Sequence, residues 1–260
     1  MTTLHNTPSA NSGLAALGTD LQRHKIAIVG VGGIGMETAK ICAALGASLQ
    51  LFDRTPAPGS LALSHPDKHT WHTVDITQDE GQRQVIASCA DIDALIITSA
   101  IYPAEQQPAT GDNTGWQDWN QHLHATLEAN LAAPMRLCLE LLPQMQTRQQ
   151  GRIVLTGSLA GRNGGLLSGP QYAASKGALH TFVRWLSLRA APHGISVNGV
   201  APGVTQTTMI ENRSVDTSRI PIGRAAAPIE VARVISFLAS PAASYIHGQI
   251  LDVNGGAWIG

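Results

Sequence analysis

The sequence has little charge, little cysteine and no long run of either charge or hydrophobicity. Charged residues make up 13% of its 260 residues, and the formal net charge is -1. No basic run of any length occurs, which argues against a nucleic-acid partner. No stretch approaches the roughly 18 consecutive apolar residues that a membrane-spanning helix needs. Cysteine occurs three times, at Cys42, Cys89 and Cys138, an odd number without a Cys-x-x-Cys pair. That usage argues against a disulfide framework and for a reducing compartment, so a cytoplasmic protein is expected. Residues 1–24 are rich in Thr, Ser, Asn and Gly and lack the basic and apolar regions of a signal peptide. They read as a flexible arm. The remainder, 25–260, shows no linker and no internal repeat and reads as one domain.

What the sequence does have is alternation. Strand-like apolar runs occur at 25–29, 48–52, 71–76, 94–98, 151–156, 195–200 and 249–253. Helical patterns separate them at 36–45, 78–89, 116–145, from about Gly169 onward, and at 228–239. Loops are expected at 102–115 and 159–169, and a loop or short lid at 204–223. Regular alternation of this kind implies an α/β fold, a doubly wound, mainly parallel sheet of about seven strands with helices on both faces.

The first strand runs into Gly30-Val31-Gly32-Gly33-Ile34-Gly35 and then a helix. Strand, Gly-x-Gly-x-x-Gly and helix together form a Rossmann-type dinucleotide fingerprint. Gly30 allows the tight turn, Gly32 lets the backbone approach a pyrophosphate, and Gly35 lets helix and strand pack closely. The helix N-terminus offers free N–H groups to phosphate. An ordinary glycine-rich loop is the alternative. Asp53 ends the second strand, where a carboxylate accepts hydrogen bonds from adenosine ribose hydroxyls and repels a 2′-phosphate. Arg54 follows and could serve such a phosphate; a plain turn residue before Pro56 is the other reading of Asp53. On this basis NAD(H) is expected over NADP(H). His65, His69 and His72 could suggest a metal, but Pro66 breaks any helix that would align them, so no metal site is expected.

Two further features carry chemistry. Pro134 lies inside the long helical pattern and cannot donate to the carbonyl four residues earlier, that of Asn130, so a kink or bulge with a free acceptor is expected there. Tyr172 and Lys176 are four apart in Gln171-Tyr172-Ala173-Ala174-Ser175-Lys176-Gly177. That spacing stacks them on one helix face. A nearby cation favours phenolate, so Lys176 is expected to lower the Tyr172 pKa and make it a general acid or base. A surface pair without a role is the alternative.

These residues in this order resemble the short-chain dehydrogenase/reductase family. The resemblance runs from Lys25 onward and rests on the glycine turn, Asp75, Asn130, Ser158, Tyr172-Ala173-Ala174-Ser175-Lys176, the segment 202–207 and the tail from Phe237 to Gly256. It implies roles. Tyr172 would exchange the proton, Lys176 would lower its pKa and hold the nicotinamide ribose, Ser158 would polarise the substrate oxygen, and Asn130 would complete a proton relay through its main-chain carbonyl. The cofactor would be held by Gly30, Gly32, Gly33, Ile34, Gly35, Asp53, Arg54, Asp75, Ile76, Ser99 and Ala100. Further contacts would come from Tyr172, Lys176, Pro202, Gly203, Val204, Thr205 and Thr207. Tyr102, Ser158, Leu159 and Met209 would line the substrate pocket.

Two departures stand out. The family's glycine turn is one residue longer and begins Thr-Gly, where this chain has Val29. Its Asn-Asn-Ala-Gly after the fourth strand is replaced by Ile97-Thr98-Ser99-Ala100, with Ser99 expected to substitute in part. The expected activity is an NAD-linked interconversion of a small-molecule secondary alcohol and a ketone, in a homo-oligomer. Oxidation of a ring diol at the same site and a non-catalytic dinucleotide sensor are the alternatives.

Overall fold

The structure is a computed structural model and describes residues 18–59, 61–103, 114–165, 168–211 and 216–260. Its centre is a seven-stranded sheet made of β1 (Lys25–Val29), β2 (Ser48–Asp53), β3 (His69–Thr73), β4 (Ala94–Ile97), β5 (Gly151–Thr156), β6 (Ile195–Pro202) and β7 (Ile250–Val253). The order is β3-β2-β1-β4-β5-β6-β7, and every neighbouring pair is parallel. Parallel strands need long crossovers, which put helices on both faces and bury the sheet. The helices are α1 (Gly33–Ala44), α2 (Asp79–Ser88), α3 (Thr114–Leu127), α4 (Ala133–Arg148), a short α5 (Ala160–Asn163), α6 (Pro170–Ala190) and α7 (Pro228–Leu238).

The side-chain period of two divides the core. Ala27 and Val29 of β1 face a cluster with Val85 of α2, Leu137 and Leu141 of α4, and Phe182 and Leu186 of α6. Ile26 and Ile28 face the other cluster, with Ala39 and Cys42 of α1 and Val231 and Ile235 of α7. The expected doubly wound α/β architecture is therefore the observed one. The strand order reverses between β1 and β4, and in such sheets ligands bind at the carboxyl ends of the strands beside that switch point. Among the described residues no helix is long and apolar enough to cross a membrane.

Four local expectations are corrected. The third strand begins and ends earlier than 71–76: β3 pairs His69 to Thr73 with Leu49 to Asp53, and beyond that, among the described residues, only the Val74 N–H reaches β2, at Asp53 O, 2.7 Å. Asp75 then closes a turn, its Oδ1 accepting the Thr77 N–H at 2.9 Å and hydroxyl at 2.8 Å. The long helix is not continuous, and the bulge allowed for at Pro134 takes a particular form. A π-helical stretch, Glu128–Ala132, joins α3 to α4, and the Ala133 N–H reaches the Glu128 carbonyl. Pro134 has no N–H for the ordinary ladder, and the wider turn accommodates that loss. The expected loop at 159–169 contains the short α5. Finally, residues 18–24 do not behave as a flexible arm. Leu21 is fully buried in the second cluster, its N–H donates to Leu45 O at 3.0 Å, and Gly18 O accepts the Ala242 N–H at 2.8 Å. Residues 1–17 lie outside the described residues.

Candidate active site

The glycine turn leaves β1 and enters α1 at the switch point. Gly30 has φ +89°, and a Cβ there would meet the Ser99 backbone nitrogen at 2.4 Å. A Cβ on Gly35 would meet Gly30 O at 1.9 Å, so turn and helix pack backbone to backbone. A Cβ on Gly32, by contrast, would meet nothing within 4 Å. The turn is thus closed on its protein side and open on the other. Gly33 faces the Thr207 methyl across that opening. No side chain caps the α1 N-terminus and no acid occupies its first turn. Such an end presents free amides and a positive dipole to an anion.

Around the turn, Asp53 Oδ2 accepts the Val31 N–H at 2.7 Å, and Oδ1 accepts the Thr55 N–H at 2.9 Å and hydroxyl at 2.7 Å. The carboxylate is therefore fixed against the glycine turn, with exposed Arg54 beside it. Asp75 and Ile76 lie at the exit of β3, and Ile76 is buried at 8% exposure. The replacement for the family's asparagines works differently from the expectation. Thr98, not Ser99, braces the turn, its hydroxyl donating to the Gly30 carbonyl. Ser99 Oγ is buried without a hydrogen-bond partner, as is Thr156 Oγ1. Orphaned hydroxyls of this kind are uncommon in native interiors. Together with the open side of Gly32 they make the residues present fit a dinucleotide.

A cavity of about 730 Å³ runs from Ile34 and Thr98 along the ends of β5 and β6. Of the expected residues it is lined by Ile34, Ala100, Tyr102, Ser158, Leu159, Tyr172, Lys176, Pro202, Gly203, Val204, Thr205, Thr207 and Met209. Gly30, Gly32, Gly33, Gly35, Asp53, Arg54, Asp75, Ile76, Ser99 and Asn130 do not line it. Asn130 sits fully buried in the π-helical stretch instead. Its side chain accepts the Ile101 N–H at 2.8 Å and donates to Ile101 O at 2.9 Å and Ser175 Oγ at 3.2 Å. It clamps the chain leaving β4 onto α6. Asn163, Ser168, Asp216 and Arg219 also line the cavity. They lie in segments read from the sequence only as loops, where residue type gives no direction.

α6 begins at Pro170, where proline's missing N–H is no loss, and brings Tyr172 and Lys176 to the cavity. Tyr102 meets the Tyr172 ring edge-on, with centroids 4.6 Å apart. Lys176 Nζ donates to Thr156 O at 2.8 Å and lies 5.8 Å from the Tyr172 ring centre. The expected lowering of the Tyr172 pKa is not the net result here. Burial pushes the phenol up to about 12, against the lowering effect of a hydrogen bond with Ser158 and with a further rise from Tyr102. Burial also pulls the Lys176 amine down to about 8. Proximity favours phenolate, but loss of hydration disfavours every charged form, and here hydration dominates. The arrangement presents a protonated phenol, a hydroxyl and an amine to one space. The sequence reading missed His180, one further turn along α6, whose Nε2 accepts the Ser158 N–H at 3.3 Å. Its spacing of four from Lys176 was the available signal.

A family model described as enoyl-(acyl carrier protein) reductase matches residues 30–257. The 3-oxoacyl-[acyl-carrier-protein] reductase FabG of Vibrio cholerae serotype O1 is 31% identical over 238 residues, covering 87% of this chain and 93% of that protein. A solved structure described as a short chain dehydrogenase/reductase family protein superposes with a TM-score of 0.81 at 29% identity, covering 91% of this chain and 98% of the other. Another, of a candidate NAD(P)-dependent gluconate 5-dehydrogenase from Beutenbergia cavernae with NADP bound at low occupancy, gives 0.80 at 30% identity, covering 92% and 98%.

Proposed function

This chain belongs to the short-chain dehydrogenase/reductase family as an NAD(P)-dependent oxidoreductase, and on that premise we propose that it interconverts a secondary alcohol and a ketone with Tyr172 as the general acid and base. The observation that carries the reading is the convergence of Tyr172, Ser158 and Lys176 on one cavity beside the glycine turn. The dinucleotide supplies or accepts the hydride. In the reductive direction, the Ser158 hydroxyl and the Tyr172 phenol hold the carbonyl oxygen. The phenol gives that oxygen its proton as the carbon is reduced, and in oxidation it takes the proton back. A buried phenol held near 12 is a donor throughout the neutral range. Lys176 would bond the nicotinamide ribose and return positive charge to the phenol's surroundings. Asn130 fixes the chain between β4 and α6, and its main-chain carbonyl takes part in the proton relay. The turn residues Gly30 to Gly35, with Asp75, Ile76, Ser99 and Ala100, would hold the adenosine and phosphates, and Pro202 to Thr207 the carboxamide.

The preference is for NAD(H). Asp53 supports it, because its fixed carboxylate stands at the end of β2 where a 2′-phosphate would be repelled, and Arg54 is the opposing influence. The ketone side of the reading is supported by the Vibrio relative, a 3-oxoacyl-[acyl-carrier-protein] reductase. Tyr102, Leu159 and Met209 supply an apolar wall to the substrate. A homo-oligomer, dimer or tetramer, is supported by half-exposed Trp185 and exposed Leu188 on α6, and a cytoplasmic setting by three buried free thiols. The test is the change in reduced-dinucleotide absorbance against a panel of ketones, secondary alcohols and ring diols. Turnover of ketones or secondary alcohols is expected; dinucleotide binding without turnover of any of them would favour a sensor.

A further inference from the structure

Tyr172, Lys176 and His180 follow one another at steps of four along α6, so they stack on one helix face. The first two meet the cavity. His180 lies beneath it at 1% exposure, between two glycines. A Cβ on Gly157 would approach its Nε2 to 2.1 Å, and one on Gly161 would approach its Cε1 to 2.8 Å. The backbone on both sides of the imidazole is stripped of side chains to admit it.

What the ring does there follows from strand geometry. Beyond the end of β5, the Gly157 N–H donates to Val200 O at 2.8 Å and the Leu159 N–H to Pro202 O at 2.8 Å, both on β6. Amides alternate in direction along extended chain, so the Ser158 amide between them points the other way. On that side β4 pairs only as far as Ile97 with Leu155. The Ser158 N–H therefore has no strand to bond to, and His180 Nε2 accepts it at 3.3 Å. An accepting nitrogen carries no proton, so the ring is neutral with its hydrogen on Nδ1. Its surroundings favour the neutral ring, although Nδ1 itself has no hydrogen-bond partner. Burial first, then the charges of Arg162, Arg184 and Lys176, bring its pKa down to about 4, with the Gly161 backbone acting the other way.

We propose that His180 is a positioning residue for the reaction, its imidazole standing in for the missing strand partner of the Ser158 amide and so holding the Ser158 hydroxyl against Tyr172. The inference rests on the reading of Ser158 as the group that polarises the substrate oxygen. The Ser158 turn is otherwise held locally: the Ala160 N–H donates to Ser158 Oγ at 3.1 Å and the Gly161 N–H to Ser158 O at 3.0 Å. An apolar side chain at 180 would fill the space and leave a part-buried amide unpaired, and the turn would rotate to satisfy it.

The test measures kcat, KM and dinucleotide Kd for His180→Leu, His180→Gln, Ser158→Ala and the double variant His180→Leu/Ser158→Ala, on a ketone that the wild type reduces. His180→Leu is expected to lower kcat by about tenfold or more with dinucleotide Kd within about twofold. Gln offers an acceptor at similar reach, and His180→Gln is expected to recover most of that loss. In the Ser158→Ala background, His180→Leu is expected to cost less than about twofold more, because the two residues act as one unit. Equal losses in both backgrounds, or His180→Gln no better than His180→Leu, would overturn the positioning role and leave Ser158 in place. Full turnover by Ser158→Ala would overturn both readings. Should the leucine variant not fold, His180→Met, apolar and adaptable in shape, replaces it in the same cycle.

Discussion

Lys176 stands 5.8 Å from the centre of the Tyr172 ring, yet its amine bonds the Thr156 carbonyl at 2.8 Å and burial leaves the phenol near 12. On that balance the pair rests as a protonated phenol beside an amine of reduced basicity, and not as a preformed phenolate. Phenolate absorbance tests this in the dinucleotide-free protein. Raised to a pH of about 11, above the ordinary tyrosine value near ~10, wild type and Tyr172→Phe are expected to show the same number of ionised tyrosines. One more in the wild type would mean that Lys176 governs the phenol after all.

Lys176→Ala is expected to reduce both kcat and dinucleotide affinity, each by about tenfold or more, since one amine serves the phenol and the ribose. Turnover and fluorescence titration with reduced dinucleotide measure the two effects separately. Loss of rate at unchanged affinity would remove the ribose contact from the account.

Asn130→Ala is expected to damage stability as well as rate. The change deletes two hydrogen bonds to the Ile101 backbone and one to Ser175, all at a fully buried side chain. Leaving buried partners unpaired costs roughly 1–3 kcal/mol. For a domain of this size that lowers Tm by at least a few degrees, at about 2–4 °C per kcal/mol. A thermal melt unchanged from wild type would show that the clamp holds nothing.

Asp53→Ser is expected to move the ratio of kcat/KM for NAD(H) over NADP(H) toward NADP(H) by about tenfold, the equivalent of ~1.4 kcal/mol. The carboxylate also holds the Val31 amide at 2.7 Å, so affinity for both dinucleotides is expected to fall somewhat. A wild type that already favours NADP(H) would show that Arg54 sets the choice.

Much of this molecule is legible in its sequence, and the parts that are not share a cause. The buried strands β1 and β4 read directly, because a strand covered by helices on both faces is apolar along its buried length, from Ile26 in β1 and throughout β4. β3 was displaced because the apolar pattern to Ile76 outruns the strand it must pair with. Pro134 announced a defect in the helix but not its form, since a kink and a π-helical turn both relieve the same missing donor. The spacing of Tyr172 and Lys176 gave their proximity correctly. It could not give their hydration, and hydration sets the sign of the phenol's shift. Thr98 bonding Gly30 and His180 receiving the Ser158 amide are contacts between segments 68 and 22 residues apart. Their residue types were visible; the direction of the backbone they answer was not.

The central claim is that Tyr172 moves the proton. Tyr172→Phe keeps the ring, its edge contact with Tyr102 and the packing of α6, and removes only the acid. Single-turnover reduction of a ketone by bound reduced dinucleotide, measured beside dinucleotide Kd, isolates that step. The account predicts a rate lower by about 10²–10⁴-fold, the usual worth of a general acid, with Kd within about twofold of wild type. A rate near that of the wild type would contradict it.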